Sequence, residues 1–127
     1  RTSKMLHHFG IELSKNIYQL PPLGFQESLY LWKDAKLVIT DSGGLQEETT
    51  ALKIPCLTLR ENTERPVTVL EGTNKLVKVE TLEQEVSEIL DGRGKRGRIP
   101  DLWDGKAAGR IVGVVEGIAR KSTNYTD

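Results

Sequence analysis

Several things are scarce in this sequence of 127 residues, and each scarcity excludes something. Cys56 is the only cysteine, so neither an intramolecular disulfide nor a cysteine-based metal site is available. It follows Pro55 in the apolar run Cys56-Leu57-Thr58-Leu59, where a small buried thiol is the expected role. The only histidines, His7 and His8, are neighbours; on a helix they point in different directions, which favours surface side chains over a shared metal. Net charge is lacking too: Lys plus Arg and Asp plus Glu number 18 each, so no basic field suggests nucleic acid. No apolar run is long enough to cross a bilayer, and the first ten residues lack the apolar core of a signal peptide, so no membrane association and a cytoplasmic location are expected. A Walker signature, a complete GxGxxG, HExxH, paired metal-ligand spacing and a Ser/His/Asp set are all missing. No metal and no cofactor are expected.

What is present is an alternation of strand and helix signals. The clearest is Lys36 to Leu52, KLVITDSGGLQEETTAL. The apolar run Leu37-Val38-Ile39-Thr40 breaks at Asp41-Ser42-Gly43-Gly44 and becomes a helical pattern from Leu45. Adjacent glycines let backbone N–H groups approach a ligand, and a new helix adds unpaired donors and partial positive charge, so phosphate is the natural guest. An ordinary cap and turn would use the same residues. On this helix Leu45, Thr49 and Leu52 form the inner face, Glu47 is expected in solvent, and Glu48 borders the core or a cleft.

Around this stretch, Ser3 to Phe9 reads as a helix stopped by Gly10, and the chain is expected to begin partway through a domain. Asn16 to Leu20 reads as a strand closed by Pro21-Pro22-Leu23-Gly24. Phe25, Leu29 and Trp32 mark one face of a helix through Asp34. Cys56 to Leu59 is the next strand, and the polar loop Arg60 to Arg65 leads to a helix begun by Pro66 and stopped by Gly72. Leu76 to Val79 is a fourth strand candidate. Thr81 and Gln84 make a capping box for a helix through Leu90, with Leu82, Val86 and Ile89 on one face. The basic, glycine-rich stretch Asp91 to Arg98 reads as a mobile surface loop. A last helix is expected from about Gly105 to Arg120, with Ile111, Val114, Val115 and Ile118 as its stripe and a frayed tail at Lys121 to Asp127.

Continuous apolar strands alternating with helices indicate an α/β fold, a Rossmann-like parallel sheet with helices on both faces, in one domain over residues 1–120. Ligands in such sheets sit beyond the carboxyl ends of the strands. The loops expected there are Pro21 to Gly24, Asp41 to Gly44 and Arg60 to Arg65. The N–H groups of Ser42, Gly43 and Gly44, with the Ser42 hydroxyl, can hold a diphosphate; Arg65 offers a planar fork for phosphate oxygens. Glu48, one turn along the helix, can accept hydrogen bonds from the paired hydroxyls of a ribose.

With these residues in place, the chain resembles the C-terminal domain of the non-hydrolysing UDP-N-acetylglucosamine 2-epimerases. The matching words are TDSGGLQEE at Thr40 to Glu48, RENTERP at Arg60 to Pro66, EGTNKLV at Glu71 to Val77 and WDGKAAGRIV at Trp103 to Val112. The resemblance implies the C-terminal half of a glycosyltransferase-B-like two-domain fold. The implied reaction interconverts UDP-N-acetylglucosamine and UDP-N-acetylmannosamine by eliminating UDP, leaving a 2-acetamidoglucal, and adding it back. It also implies that Ser42, Gly43 and Gly44 bind the diphosphate, Glu48 the ribose and Arg65 the substrate, while the loop from Leu23 to Ser28 covers the uracil. Ser28 stands where family members often carry an aromatic residue, and Lys78 replaces the glycine that usually ends the GTNxLVG word. The family's proton-transfer residues have no counterpart here, so the partners expected are the UDP-sugar and an N-terminal lobe, with a homodimer left open. Alone, the chain is expected to be inactive and to bind UDP in the millimolar range, about −4 kcal/mol. A hydrolysing epimerase, a glycosyltransferase of the same architecture and a non-catalytic nucleotide-binding module stay open as alternatives.

Overall fold

The apolar runs at residues 37–40 and 56–59 do form strands, and each hands the chain to a helix. The computed structural model describes residues 2–123. The chain divides into two compact parts, Arg1–Tyr30 and Leu31–Asp127.

In the first part, helix α1 spans Thr2–His8. Gly10 stops it at φ 60°, with the Gly10 N–H donating to the His7 carbonyl and the Ile11 N–H to the Leu6 carbonyl. These two bonds are the paired closure of a helix end that needs a left-handed residue. His7 and His8 are both exposed. Asn16 to Leu20, expected as a strand, is not one. The Ile17 N–H turns back to the Ser14 carbonyl at 2.9 Å, and Ile17 and Tyr18 are 56% and 83% exposed. Residues that favour strands need a ladder and a face to pack on, and no described strand pairs with these. Helix α2, Phe25–Trp32, carries the chain out of this part and ends two residues before the expected Asp34. The Glu27 carboxylate accepts the Gly24 N–H at 2.9 Å, closing the helix start.

The second part holds a parallel sheet in the order β1 (Val38–Thr40), β2 (Cys56–Thr58), β3 (Asn74–Leu76). Val38 aligns with Cys56 and Cys56 with Asn74, while Thr40, Thr58 and Leu76 form the carboxyl edge. Helix α3 (Gly43–Ala51) follows β1, α4 (Pro66–Leu70) follows β2, and a 3-10 turn at Val79–Thr81 leads to α5 (Leu82–Leu90). Helix α6 runs from Ala107 to Thr123, so Lys121 to Thr123 are helical where a frayed tail was expected; residues 124–127 lie outside the described residues.

The core contains Ile54, Cys56, Leu57 and Val77, and an unusual share of polar side chains: Gln46, Thr49, Thr50, Thr58, Thr68 and Asn74 are fully buried. This changes the register of α3. The helix begins at Gly43 instead of Leu45, its buried residues are Gln46, Thr49 and Thr50, and Leu52, expected inside, is 40% exposed. The third strand is likewise displaced. It lies at Asn74–Leu76 because the Asn74 side chain is held inside by the Thr58 hydroxyl at 2.6 Å, whereas Val79 is 74% exposed. Nor does the expected capping box form. The Thr81 hydroxyl donates back to the Lys78 carbonyl, and Gln84 reaches Glu88 on its own helix.

The basic stretch after α5 is packed down, contrary to the expected mobile loop. The Arg98 N–H donates to the Glu71 carbonyl at 2.8 Å and its guanidinium lies 2.7 Å from the Glu71 carboxylate. Lys95 Nζ donates to the Asn74 carbonyl at 2.9 Å and to that of Val69. A Cβ on Gly97 would stand 2.2 Å from the Gly72 carbonyl, so two glycines let the chains meet backbone to backbone.

Candidate functional site

The carboxyl edge of the sheet turns β1 into the first residues of α3, and this joint gathers most of the predicted site residues. Ser42 is the N-cap residue at φ −86° and ψ 133°, and its hydroxyl makes no capping bond. Its N–H donates to Thr40 Oγ1 at 3.0 Å. The donors that the turn presents to an incoming anion are therefore the Gly43 and Gly44 N–H groups, which have no acceptor within their own helix, and the Ser42 hydroxyl. A Cβ added to Gly44 would meet no described atom within 4 Å, whereas one on Gly43 would stand 3.0 Å from Glu64 Oε1. That carboxylate is paired with Arg60 at 3.1 Å. Its own backbone N–H, and then the Arg60 charge, hold it below the usual carboxylate range.

Arg65 stands beside the same helix. Its Nε lies 3.0 Å from Glu47 Oε1. The nitrogen is shut off from solvent yet makes no well-aligned hydrogen bond, so the contact is electrostatic contact without a directed bond. Glu47, expected in solvent, is thus half-exposed at 43% and turned toward Arg65. A pair this open stabilises by about 1 kcal/mol at most; its effect is to hold the guanidinium near α3. Glu48 carries a different signal. Its Oε2 is buried and has no hydrogen-bond partner among the described residues. An unpaired buried carboxylate oxygen is costly unless something donates to it. Glu48 also lines a shallow hollow of about 360 Å³ with Glu47, Ala51 and Trp103. Trp103 was not anticipated as a neighbour of Glu48, since no periodicity connects residues so far apart in sequence.

Leu23 and Ser28 belong to the first part of the chain, Leu23 just before α2 and Ser28 in its first turn, both half-buried. Ser42, Gly43, Gly44, Glu48 and Arg65 belong to the second. Cys56 is buried, and burial pushes its thiol pKa up, away from nucleophile chemistry.

Sequence reasoning missed the residue that ties the site together. Gln46 is fully buried. Its Oε1 accepts from Thr63 Oγ1 at 2.6 Å and from Asn74 Nδ2 at 3.0 Å, and its Nε2 donates to the Ser42 carbonyl at 3.3 Å. The only available signal was a polar residue one position away from Leu45 on the helix, and such a residue ordinarily reads as solvated. Its partners lie 17 and 28 residues further along the chain.

A family model described as UDP-N-acetylglucosamine 2-epimerase matches residues 1–116. The UDP-N-acetylglucosamine 2-epimerase of Methanocaldococcus jannaschii is 43% identical over 121 residues, which is 91% of this chain and 32% of that protein. The enzyme of that name from Methanococcus maripaludis is 52% identical over 80 residues, covering 60% of this chain and 22% of its own. Among solved structures, the Methanocaldococcus jannaschii UDP-GlcNAc 2-epimerase in complex with UDP-GlcNAc and UDP superposes with a TM-score of 0.74 at 43% identity, over 91% of this chain and 33% of that one. The Neisseria meningitidis UDP-GlcNAc 2-epimerase bound to UDP-GlcNAc gives 0.62 at 27% identity, over the same shares. The chain spans about a third of the length of the Methanocaldococcus relative and of both solved structures.

Proposed function

This chain belongs to the UDP-N-acetylglucosamine 2-epimerase family, and from that membership we propose that it supplies the UDP-binding half of such an enzyme. Residues 1–120 form the nucleotide-binding unit in this reading. In the complete enzyme UDP-N-acetylglucosamine and UDP-N-acetylmannosamine interconvert by loss and re-addition of UDP. The observation that carries the reading is the unpartnered, buried Glu48 Oε2 one turn along from the open start of α3. A ribose hydroxyl donating to that oxygen, and phosphates on the Gly43 and Gly44 N–H groups, satisfy both at once.

The chemistry assigned to these residues is that of a leaving-group site. As the bond from the sugar C1 to the diphosphate oxygen breaks, negative charge builds on UDP. Fixed N–H donors at the tip of α3, the Ser42 hydroxyl and the Arg65 guanidinium stabilise that charge more as it grows, which is what lowers a barrier. The same contacts hold UDP while it waits to add back. Leu23 and Ser28 are assigned to the uracil. The groups that remove and return the C2 proton are assigned to a further lobe. The exposed apolar stripe of α6, with Ile111, Val114, Val115 and Ile118 each at least 58% exposed, supports a covering partner. A cytoplasmic location accords with a nucleotide-sugar substrate, and no described helix is long and apolar enough to cross a membrane.

The test is a titration of UDP into the labelled chain, following the backbone amides of residues 42–44. Saturable shifts at millimolar UDP are expected; unmoved amides at high millimolar UDP overturn the nucleotide reading. For the whole enzyme, UDP-N-acetylglucosamine should yield UDP-N-acetylmannosamine, and release of free UDP with free sugar would replace this assignment by a hydrolysing one.

A further inference from the structure

Five side chains and the backbone N–H and carbonyl of Arg65 form a hydrogen-bonded network behind the proposed diphosphate site. The Arg65 N–H donates to Thr63 Oγ1 at 3.0 Å, and the Thr63 hydroxyl donates to Gln46 Oε1 at 2.6 Å. Asn74 Nδ2 donates to the same Gln46 oxygen at 3.0 Å and to Thr68 Oγ1 at 3.1 Å. The Thr68 hydroxyl donates to the Arg65 carbonyl at 2.8 Å, which closes the ring on the residue where it began. Thr58 Oγ1 fixes the remaining Asn74 oxygen. From this ring one arm leaves, the Gln46 Nε2 bond to the Ser42 carbonyl. Turning Gln46 alone would set its NH2 against the Asn74 NH2, and turning both amides together would set the Gln46 oxygen against the Ser42 carbonyl, so the Ser42 contact gives the network its sense.

The ring holds both backbone groups of Arg65, and the arm holds the turn that precedes Gly43. We propose that Gln46 is a positioning residue: its buried amide fixes Arg65 relative to the phosphate turn, so that guanidinium and helix N–H groups meet one diphosphate together. This rests on the UDP-binding reading above. Gln46 itself is fully buried behind the turn and takes no part in contacting the ligand. Stability alone does not account for the arrangement. Apolar residues of the same shape at all of these positions would fill that space, and a fully satisfied buried polar network specifies one geometry as well as adding stability.

The inference is tested by a double-mutant cycle on the inhibition constant of UDP in the full-length enzyme, with thermal melting alongside. Gln46→Met should raise that constant about tenfold, the loss of one well-placed ionic contact. In an Arg65→Ala background the same change should cost less than about twofold, because Gln46 acts through Arg65. Thr63→Val cuts the ring next to Arg65 while leaving the Gln46 bonds to Asn74 and Ser42, and it should show the same coupling. It serves where Gln46→Met does not fold. Equal losses in both backgrounds, or no loss in either, overturn the positioning role and leave UDP binding standing. If the unaltered enzyme is not inhibited by UDP, the underlying reading fails and this one falls with it.

Discussion

Gly43 and Gly44 are neighbours at the tip of α3, yet space around them differs. Near Gly43 the Glu64 carboxylate occupies the place a Cβ would crowd, while Gly44 faces open space. The fold therefore does not need a glycine at 44, whereas the proposed approach of a diphosphate to the backbone would. Gly44→Ala is expected to keep or raise stability, by up to about 0.5–1 kcal/mol in thermal melts. UDP affinity should fall at least about tenfold in titration. Undiminished UDP binding by this variant would remove Gly44 from the site. Gly97 is the opposite case. A methyl there would stand 2.2 Å from the Gly72 backbone, so Gly97→Ala should lose about 1–3 kcal/mol from overpacking. Gly113→Ala, which meets no described atom within 4 Å, is the matched control. Equal melting temperatures for the two would show that the 72–97 contact yields freely.

At the scale of elements, the start of α6 is organised by Asp104. Its Oδ1 accepts the Lys106 N–H at 3.0 Å and its Oδ2 pairs with Arg110 at 3.0 Å, while Arg110 also reaches the Leu102 carbonyl. The Asp and Arg of the WDGKAAGRIV word are thus a helix clasp. The Arg110 guanidinium, and next the Lys106 N–H, hold the Asp104 carboxyl down to about 2. A depressed carboxyl stabilises the folded form fully above its unfolded pKa of about 4 and loses that contribution as pH falls through the folded value. Protection of the first α6 amides against exchange should accordingly decline between about pH 4 and 2, and in Asp104→Asn it should be weaker at neutral pH and flat over that interval. A wild-type profile as flat as the variant's would show that the clasp does not matter.

For the whole molecule, binding and stability are one measurement. If the isolated chain binds UDP in the millimolar range, 10 mM UDP should stabilise it by about 1.4 kcal/mol, seen as a rise in melting temperature. An unchanged melt at that concentration, with Gly44→Ala also indifferent, would leave the α3 tip without a nucleotide. Much of this molecule was legible in order along the chain: the strand, the glycine turn and the helix at 37–51, Pro66 beginning α4, and Gly10 ending α1 all follow from local backbone chemistry. What failed was whatever depended on a partner. Asn16 to Leu20 had the side chains of a strand but no described ladder, Thr81 had the sequence of a capping box but a different geometry, and the basic stretch had the composition of a mobile loop but docks on Glu71 and Gly72.

By itself the sequence determined where the strand-to-helix turn proposed for phosphate lies and which residue types surround it, because a turn into a helix is set by φ and ψ preferences within a few residues. It also carried the family words. Only the tertiary structure decided which face of α3 is buried, and that Gln46, Thr63, Thr68 and Asn74 close a ring on the Arg65 backbone. Hydrogen bonds among buried polar groups depend on distances between segments far apart in sequence, and no local propensity encodes those distances.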